Sequence, residues 1–184
     1  MTKWLQTYGG SAYDLDRDPD PCSIVLGDIA FALAHLNRFT GHAGTYSVAQ
    51  HSVLAARVAR AQGHSDFVQR AALMHDAHEA YTGDIASPIK RVLGDAWRSF
   101  ERRHEIAVRR RFAIGVSLPA AVVNIDLRLL ITERRDLLGD VQARPWAIDP
   151  EPYTAREGLA KILPWGPAEA ERCFLSEAER LWIR

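Results

Sequence analysis

The stretch over residues 72–91, ALMHDAHEAYTGDIASPIKR, determines how the rest of the chain is interpreted. Its centre is the adjacent pair His75 and Asp76, which follows an apolar run typical of the packed face of a helix. Glu79 comes one turn later. An imidazole next to a carboxylate can bind a divalent cation, because nitrogen and oxygen ligands together suit Mn, Fe, Co, Ni or Zn ions. Two ligands do not make a site, so the others must come from elsewhere in the chain.

The length and composition are those of an ordinary globular protein. The chain has 184 residues, of which 47% are hydrophobic and 25% are charged, and its formal net charge is zero. This length allows one domain with a full core, and we expect a single domain over residues 1–184. Binders of nucleic acid polymers or membrane surfaces usually carry a basic excess, so neither class is expected.

The cysteines and the N-terminus provide the sequence evidence on cellular location. Cys22 and Cys173 lie far apart without metal-ligand spacing, and we expect ordinary thiols. The N-terminus has no long apolar region, and no window approaches the roughly 18 apolar residues of a membrane span. These features predict a cytoplasmic protein.

The first 21 residues contain glycines, prolines and four aspartates, which predicts an irregular lead-in or a short β-hairpin. The acidic run DLDRDPD at residues 14–20 partly matches a calcium loop. It lacks the glycine at the sixth position and the closing glutamate of an EF-hand, so we expect no calcium site.

Helical spacing begins after this segment. Asp28 is predicted to cap a first helix that ends near Asn37, because glycines follow closely. Ser47 is predicted to cap a second helix that runs to about Gln62 and carries His51 on its apolar face. An inward histidine is, by itself, better explained as a core histidine with one hydrogen bond, and the ligand interpretation depends on the histidine and aspartate of the next helix.

Two further helices bring ligand-type side chains to buried faces. A helix over about residues 65–81 carries His75 and Asp76, and another over residues 120–138 carries Asp126 beside its apolar stripe. A carboxylate so placed is costly to bury without a counter-charge or a metal ion. Asp126 is therefore the natural fourth ligand.

Helices also account for most of the remaining chain. A short helix begins at Ser87-Pro88, and residues 95–112 form a charged amphipathic helix on the outside of the fold. Residues 139–165 contain four prolines and are predicted to be mostly loop with one short helix. Residues 167–183 return to helical spacing. No sustained period-two alternation occurs, so the fold class is all-α.

The candidate ligands follow the order His51, His75-Asp76, Asp126. This order resembles the H…HD…D pattern of the HD-domain metal-dependent phosphohydrolase superfamily. The segments NRFTGHAGTYSVAQHS and HDAHEAYTGDIASPIK are similar to its bacterial 5′-deoxynucleotidase branch. The resemblance covers about residues 28–138 and implies a single HD-domain helical bundle, with residues 139–184 as a C-terminal helical extension.

The resemblance implies one divalent transition-metal ion with four protein ligands: His51, His75, Asp76 and Asp126. The ion is Co, Mn, Fe, Ni or Zn, with Mg as an alternative, and water fills the other positions. Such an ion lowers the pKa of bound water and polarises a phosphoryl oxygen.

Two further acids match catalytic positions of the same family. Glu79 matches the glutamate that orients or deprotonates the attacking water, and Asp84 matches the acid that protonates the leaving ester oxygen. The alternatives are an i,i+4 partner of a basic residue for Glu79 and a helix cap for Asp84. The acid role requires a raised pKa at Asp84.

Substrate contacts are implied for four residues: Arg38, Phe39, Lys90 and His42. The arginine contacts phosphate, and the aromatic residue, usually Trp in this branch, packs against the sugar. Phe39 lacks the indole N–H, which leaves the preference for deoxyribose open. Lys90 is a second phosphate ligand or a solvated surface lysine. His42 is a third candidate for phosphate contact.

His78 lies three residues after His75, and the two could instead form an HxxH zinc pair. That arrangement would leave Asp76 and Asp126 unexplained.

The resemblance implies a metal-dependent nucleotide phosphohydrolase that releases phosphate from deoxynucleoside 5′-monophosphates through a metal-bound hydroxide. The first alternative is a deoxynucleoside triphosphate triphosphohydrolase with the same site. The second is a non-catalytic ligand-binding protein of the same fold, and the third is a cyclic-nucleotide or dinucleotide phosphodiesterase. Related enzymes are often dimers, so a homodimer through residues 95–112 or the C-terminal helix is also expected.

Overall fold

The computed structural model describes residues 3–139, 146, 150–181 and 183. These residues form a mostly helical protein with one small β-hairpin, which confirms the predicted all-α fold class. None of the helices in the described ranges is both long enough and apolar enough to cross a membrane.

The elements follow one another along the chain as a hairpin and then helices. The hairpin consists of β1 (Trp4–Gln6) and β2 (Ala12–Asp14), and the helices are α1 (Leu26–His35), α2 (Val48–Ala61), α3 (Asp66–Met74), α4 (Glu79–Thr82), α5 (Ser87–Arg111), α6 (Ala120–Leu137) and α7 (Pro167–Arg180). Short 3₁₀ turns lie at Pro21–Ser23, Phe39–Gly41 and Ala155–Glu157.

Helix α2 lies at the centre of the fold and packs against α1, α3, α6 and α7. The Ser47 side chain accepts a hydrogen bond from the Gln50 N–H at 3.2 Å, which confirms the predicted N-cap. Small residues cover much of the helix surface and let its neighbours approach closely: Ala49, Ala55, Ala56 and Ala59. His51, in the first turn, is therefore fully buried.

The core lies on two sides of α2. On one side, Val53 and Ala56 pack with residues of the hairpin, α1, α5 and α7. On the other, Leu54 and Val58 pack with residues of α3 and α6. Each buried aliphatic side chain of this size contributes about 1.5–3 kcal/mol to folding. The packing fixes α2, α3 and α6, which carry or adjoin the predicted ligands.

The N-terminal hairpin confirms the prediction for this segment and docks on α5. The two strands pair antiparallel with Leu5 opposite Tyr13. Tyr13 is buried, its ring stacks on Tyr81 at 3.8 Å, and its hydroxyl lies 2.9 Å from His104 Nδ1. His104 is thus a buried structural residue.

His104 makes the stability of the fold depend on pH. Burial, with a smaller contribution from the charge of Arg103, lowers the pKa of His104 from 6.5 to about 4. Between these values the unfolded chain binds more protons than the folded chain, so stability falls as the pH decreases from 6.5 towards 4. We expect this one residue to account for a loss on the order of 2 kcal/mol.

The measurement is urea unfolding of the wild type and His104→Gln at pH 7, 6 and 5. The stability of the wild type relative to the variant should fall with decreasing pH, since other titrating groups cancel in the difference. A difference that stays constant over this range would contradict the prediction.

Helix α1 begins three residues earlier than predicted, and Asp28 is not its N-cap. The N-cap is Val25, and Asp28 lies inside the first turn. Its Oδ1 accepts a hydrogen bond of 2.6 Å from the Gly9 N–H. A contact with the hairpin, invisible to local sequence rules, thus replaces the capping interaction. The carboxylate still lies near the positive end of the helix dipole.

The helix predicted over residues 65–81 is interrupted. Helix α3 ends at Met74, residues 75–78 form a turn, and α4 follows. In this turn the Ala77 N–H bonds to the Met74 carbonyl and the Glu79 N–H to the Asp76 carbonyl, three residues back instead of four. Periodicity missed the break because His75 keeps α-helical dihedral angles. Gly83, with φ of 83°, ends α4 as predicted.

The short helix predicted to begin at Ser87 and the helix predicted over residues 95–112 together form α5, with a kink between them. Gly94 has φ of 66° and ψ of −146°, which L-residues other than glycine rarely adopt. In the predicted loop, the described residues contain the 3₁₀ turn Ala155–Glu157. Residues 140–145 and 147–149 lie outside the described residues. Helix α7 agrees with the predicted C-terminal helix.

Candidate metal centre

The four predicted metal ligands converge between α2, the turn after α3, and α6. His51 comes from α2, His75 and Asp76 from the turn, and Asp126 from α6. His51 Nε2 lies 3.1 Å from His75 Nε2 and 3.2 Å from Asp126 Oδ1. Asp76 Oδ2 lies 3.2 Å from His75 Nε2 and 3.7 Å from His51 Nε2.

These spacings match the coordination shell of one ion. Ligand atoms bonded to an ion at about 2.1 Å lie on the order of 3.0–3.5 Å apart. The ligand atoms of His51, His75 and Asp126 all lie within 4.8 Å of one another, and the structure assigns them to a group that could hold a metal ion. Asp76 is not a member of that group, but its Oδ2 lies within 4 Å of both imidazole Nε2 atoms.

Both imidazoles are oriented by bonds on their far side. His75 Nδ1 lies 2.7 Å from the Ala72 carbonyl oxygen, which can only accept a hydrogen bond. His51 Nδ1 lies 2.5 Å from Glu133 Oε1. Each Nδ1 is therefore the donor, and each Nε2 presents its lone pair to the centre. This is the arrangement that fixes histidine ligands in metal sites.

Glu133 is the functional residue that sequence reasoning missed. Its carboxylate is fully buried and accepts hydrogen bonds from the Tyr46 hydroxyl at 2.8 Å and from Arg38 Nε at 3.2 Å, besides the bond to His51. The signal that could have identified it is spacing. Glu133 follows Asp126 by seven residues, two turns along the same face of α6.

Arg38 is buried beside the same cluster. Its Nη1 lies 3.4 Å from Asp76 Oδ2, while its Nε bonds to Glu133. Burial disfavours the charged form, but Glu133 and Asp76 together raise the pKa of Arg38 well above its ordinary value. The guanidinium is thus an internal counter-charge, a role that the sequence did not reveal.

The buried cluster around Arg38 and the two imidazoles requires additional positive charge. Three carboxylates, those of Asp76, Asp126 and Glu133, face one guanidinium, that of Arg38. Against the effect of burial, Asp76 and Asp126 raise the pKa of His75 well above its ordinary value. Two negative charges therefore remain when the imidazoles are neutral, which is the charge that a divalent cation balances.

The two predicted catalytic acids have raised pKa values. Burial and the charges of Asp76 and Asp84 raise the pKa of Glu79 well above its usual range. Burial, supported by the charge of Asp76 and opposed by Arg38, raises the pKa of Asp84. Both acids are thus held close enough to the ligand cluster to interact with it electrostatically.

Lys90 and His78 form a second group with Glu101. Lys90 Nζ lies 2.5 Å from Glu101 Oε1 and 3.8 Å from Glu79 Oε1. His78 is buried, and its Nε2 lies 3.6 Å from Glu101 Oε1. His75 and His78 therefore belong to different groups, and the geometry gives no support to the HxxH pair.

The loop that carries Arg38 presents an aromatic side chain near the site. Phe39 has a positive φ of 56°, and its half-buried ring lies 5.7 Å from the Arg38 guanidinium and 6.4 Å from the Trp146 ring. His42 is exposed at the end of the same loop. Trp146 comes from a proline-containing segment without periodicity, so no sequence signal pointed to it.

Two relatives resemble nearly the whole chain. YfdR of Escherichia coli, described as an uncharacterized protein, is 34% identical over 174 residues, which cover 94% of this chain and 92% of YfdR. The chain belongs to the YfdR family. RCAP_rcc00048 of Rhodobacter capsulatus, also described as an uncharacterized protein, is 37% identical to this YfdR-family chain over 182 residues. The matched region covers 93% of this chain and 91% of RCAP_rcc00048. No protein-family model matches the sequence.

Proposed function

We propose that this YfdR-family protein is an HD-domain metal-dependent phosphohydrolase that releases phosphate from deoxynucleoside 5′-monophosphates. On this proposal residues 1–184 form one HD-type domain whose partner is a small nucleotide. The observation that carries the proposal is the convergence of two oriented imidazoles and two carboxylates on one point: His51, His75, Asp76 and Asp126.

The donor set fits a transition-metal ion. Imidazole nitrogen suits Co, Mn, Fe, Ni and Zn, whereas a site for Mg would be built from oxygen ligands. When bound, a divalent ion supplies positive charge that polarises a phosphoryl oxygen and makes water more acidic. The Glu133 carboxylate holds His51 in the tautomer that this binding requires.

Glu79 and Asp84 supply the proton transfers. Glu79 is 4% exposed, and its Oε2 has no hydrogen-bond partner among the described residues, so this oxygen is available to a water molecule. Its raised pKa brings it closer to the range in which a carboxylate accepts a proton effectively at neutral pH. The raised pKa of Asp84 suits the donation of a proton to the departing 5′-oxygen.

Arg38 binds the phosphate in this mechanism. A guanidinium has five N–H donors, and Glu133 and Asp76 engage only Nε and Nη1 in the described contacts. Phosphate binding by Lys90 requires the substrate to compete with Glu101. Phe39 packs against the sugar, and the exposed His42 reaches the phosphate from the loop.

A panel of nucleotides assayed with Co²⁺, Mn²⁺, Mg²⁺ and Zn²⁺ tests the proposal. We expect orthophosphate from deoxynucleoside 5′-monophosphates with a transition-metal ion, and loss of this activity in EDTA with recovery when the ion is restored. The matched control is the ribonucleoside 5′-monophosphate of each base, which measures the preference for deoxyribose over ribose.

The other products identify the rival functions. Tripolyphosphate from deoxynucleoside triphosphates would indicate a triphosphohydrolase, and cleavage of cyclic nucleotides or dinucleotides a phosphodiesterase. A protein that binds no transition ion and hydrolyses no nucleotide would be a non-catalytic ligand-binding protein, and the proposal would be wrong.

The expected homodimer remains a prediction, and the structure indicates where to test it. The apolar stripe of α7 is buried inside the fold at Ala170, Phe174 and Ala178. Exposed apolar side chains occur instead at the start of α5, where Val92 is 87% exposed and Leu93 is 48% exposed.

A further inference from the structure

A second set of ligand-type side chains lies beside the metal centre. His78 and Glu79, at the start of α4, face Glu101 on the second part of α5. One potential ligand atom from each lies within 4.8 Å of the other two. His78 and Glu79 are 6% and 4% exposed, and the Glu101 side chain is 18% exposed. The group is thus partly enclosed but reachable from solvent.

Glu79 gives this group an open coordination position. Its carboxylate is more than nine-tenths buried, and its Oε2 has no hydrogen-bond partner within the described part of the chain. A buried carboxylate oxygen without a donor is costly, and a cation is one of the few partners that removes this cost.

Lys90 shows that this position attracts a cation. Its ammonium lies 2.5 Å from Glu101 Oε1 and 3.8 Å from Glu79 Oε1, between the two carboxylates. The ammonium balances one of the two negative charges. A divalent ion would balance the negative charges of both carboxylates. It would also be coordinated by the His78 ring nitrogen, whereas an ammonium group forms no coordination bond.

We propose that His78, Glu79 and Glu101 form a second site for a divalent transition-metal ion, for which Lys90 is the competing internal cation. One imidazole and two carboxylates are sufficient protein ligands for such an ion, with water completing the shell. Binding displaces the Lys90 ammonium from the two carboxylates. The binding itself does not depend on the proposed phosphohydrolase activity.

Occupation of this site has a consequence that does rest on the proposed function. The second ion engages Glu79, which then cannot accept a proton from water. Excess transition metal should therefore inhibit hydrolysis after the first equivalent has activated it.

The test is calorimetric titration of the apo protein with Zn²⁺, with bound metal counted by elemental analysis after gel filtration. All variants carry Cys22→Ser, because the exposed Cys22 thiol is itself a zinc ligand. We expect two ions per chain. Glu101→Gln and His78→Asn should each weaken the second ion at least about tenfold and leave the first in place.

Lys90→Met should have the opposite effect and tighten the second ion about tenfold, because it removes the competing ammonium. Lys161→Met, at an exposed lysine, is the matched control and should change neither ion. The opposite signs distinguish ligands from residues that only maintain the fold, since a fold defect would weaken binding in every variant.

Each outcome decides the proposal. One ion in the Cys22→Ser parent protein, two equally tight ions in Glu101→Gln, or no tightening in Lys90→Met would overturn it. The metal centre and the proposed function would survive those results, because they depend on the first ion alone. Two ions without nucleotide hydrolysis would uphold the second site and count against the phosphohydrolase.

Discussion

Replacing Glu133 with alanine will lower the free energy of unfolding by about 3–5 kcal/mol, because it leaves the buried Arg38 guanidinium without its nearest counter-charge. The same change removes the acceptor of the Tyr46 hydroxyl and of His51 Nδ1. We also expect divalent metal affinity to fall about 10–100-fold, since His51 loses the group that orients it. Urea unfolding and metal titration measure the two effects.

Two further variants serve as comparisons, one that removes the charge of Glu133 but keeps its size, and one at an exposed glutamate. Glu133→Gln keeps the side chain's size and one carbonyl acceptor, so it should be less destabilised than Glu133→Ala while still losing metal affinity. Glu179→Ala removes an exposed carboxylate from α7 and should change stability by less than about 0.5 kcal/mol. A Glu133→Ala protein as stable as Glu179→Ala would show that the buried network contributes little.

Replacing Asp76 with alanine will abolish tight binding of the first ion and reduce nucleotide hydrolysis by three orders of magnitude or more, on the order seen when one member of a catalytic unit is removed. Asp76 Oδ2 is within 4 Å of both imidazole Nε2 atoms and of Arg38 Nη1. Its loss would remove one proposed ligand and one of the two carboxylate partners of Arg38. Metal analysis and steady-state kinetics measure the result.

Glu79→Gln is the companion variant. It should retain the first ion and lose activity about 10²–10⁴-fold, the usual contribution of general acid–base catalysis. Asp76→Ala protein that retains both the ion and the activity would remove Asp76 from the site. Loss of the ion in Glu79→Gln would mean that Glu79 is a ligand of the first ion.

The sequence predicted those features of the fold that depend on interactions between residues close together in the chain. The Ser47 cap, the stop at Gly83 and the hairpin follow from short-range hydrogen bonding and backbone freedom, and each is present. Asp28 shows the limit. Its carboxylate could cap a helix, but a glycine 19 residues away in the hairpin takes its hydrogen bond. Tertiary contacts of this kind leave no periodic signal.

The candidate site likewise contains residues that the sequence predicted and residues that it did not. His51 was recognisable because a polar group on an apolar helix face needs a partner, and it is fully buried. The same argument led to Asp126, whose side chain is 45% exposed in the structure, so its nearness to His51 is confirmed but its expected burial is not. The break in the helix after Met74 could not be recognised from the sequence, because the apolar pattern continues through it and His75 keeps helical dihedral angles. Glu133 was passed over because a glutamate near the end of a charged helix normally faces solvent. Its burial depends on Arg38 and Tyr46, which come from a distant loop.

The most direct test of the metal centre is an anomalous difference map from crystals grown with Co²⁺. We predict a peak about 2.0–2.3 Å from four atoms, His51 Nε2, His75 Nε2, one oxygen of Asp76 and one of Asp126. A map in which cobalt binds only elsewhere, or in which any of these four side chains stays outside bonding distance of the peak, would contradict the assignment of this cluster as a metal centre.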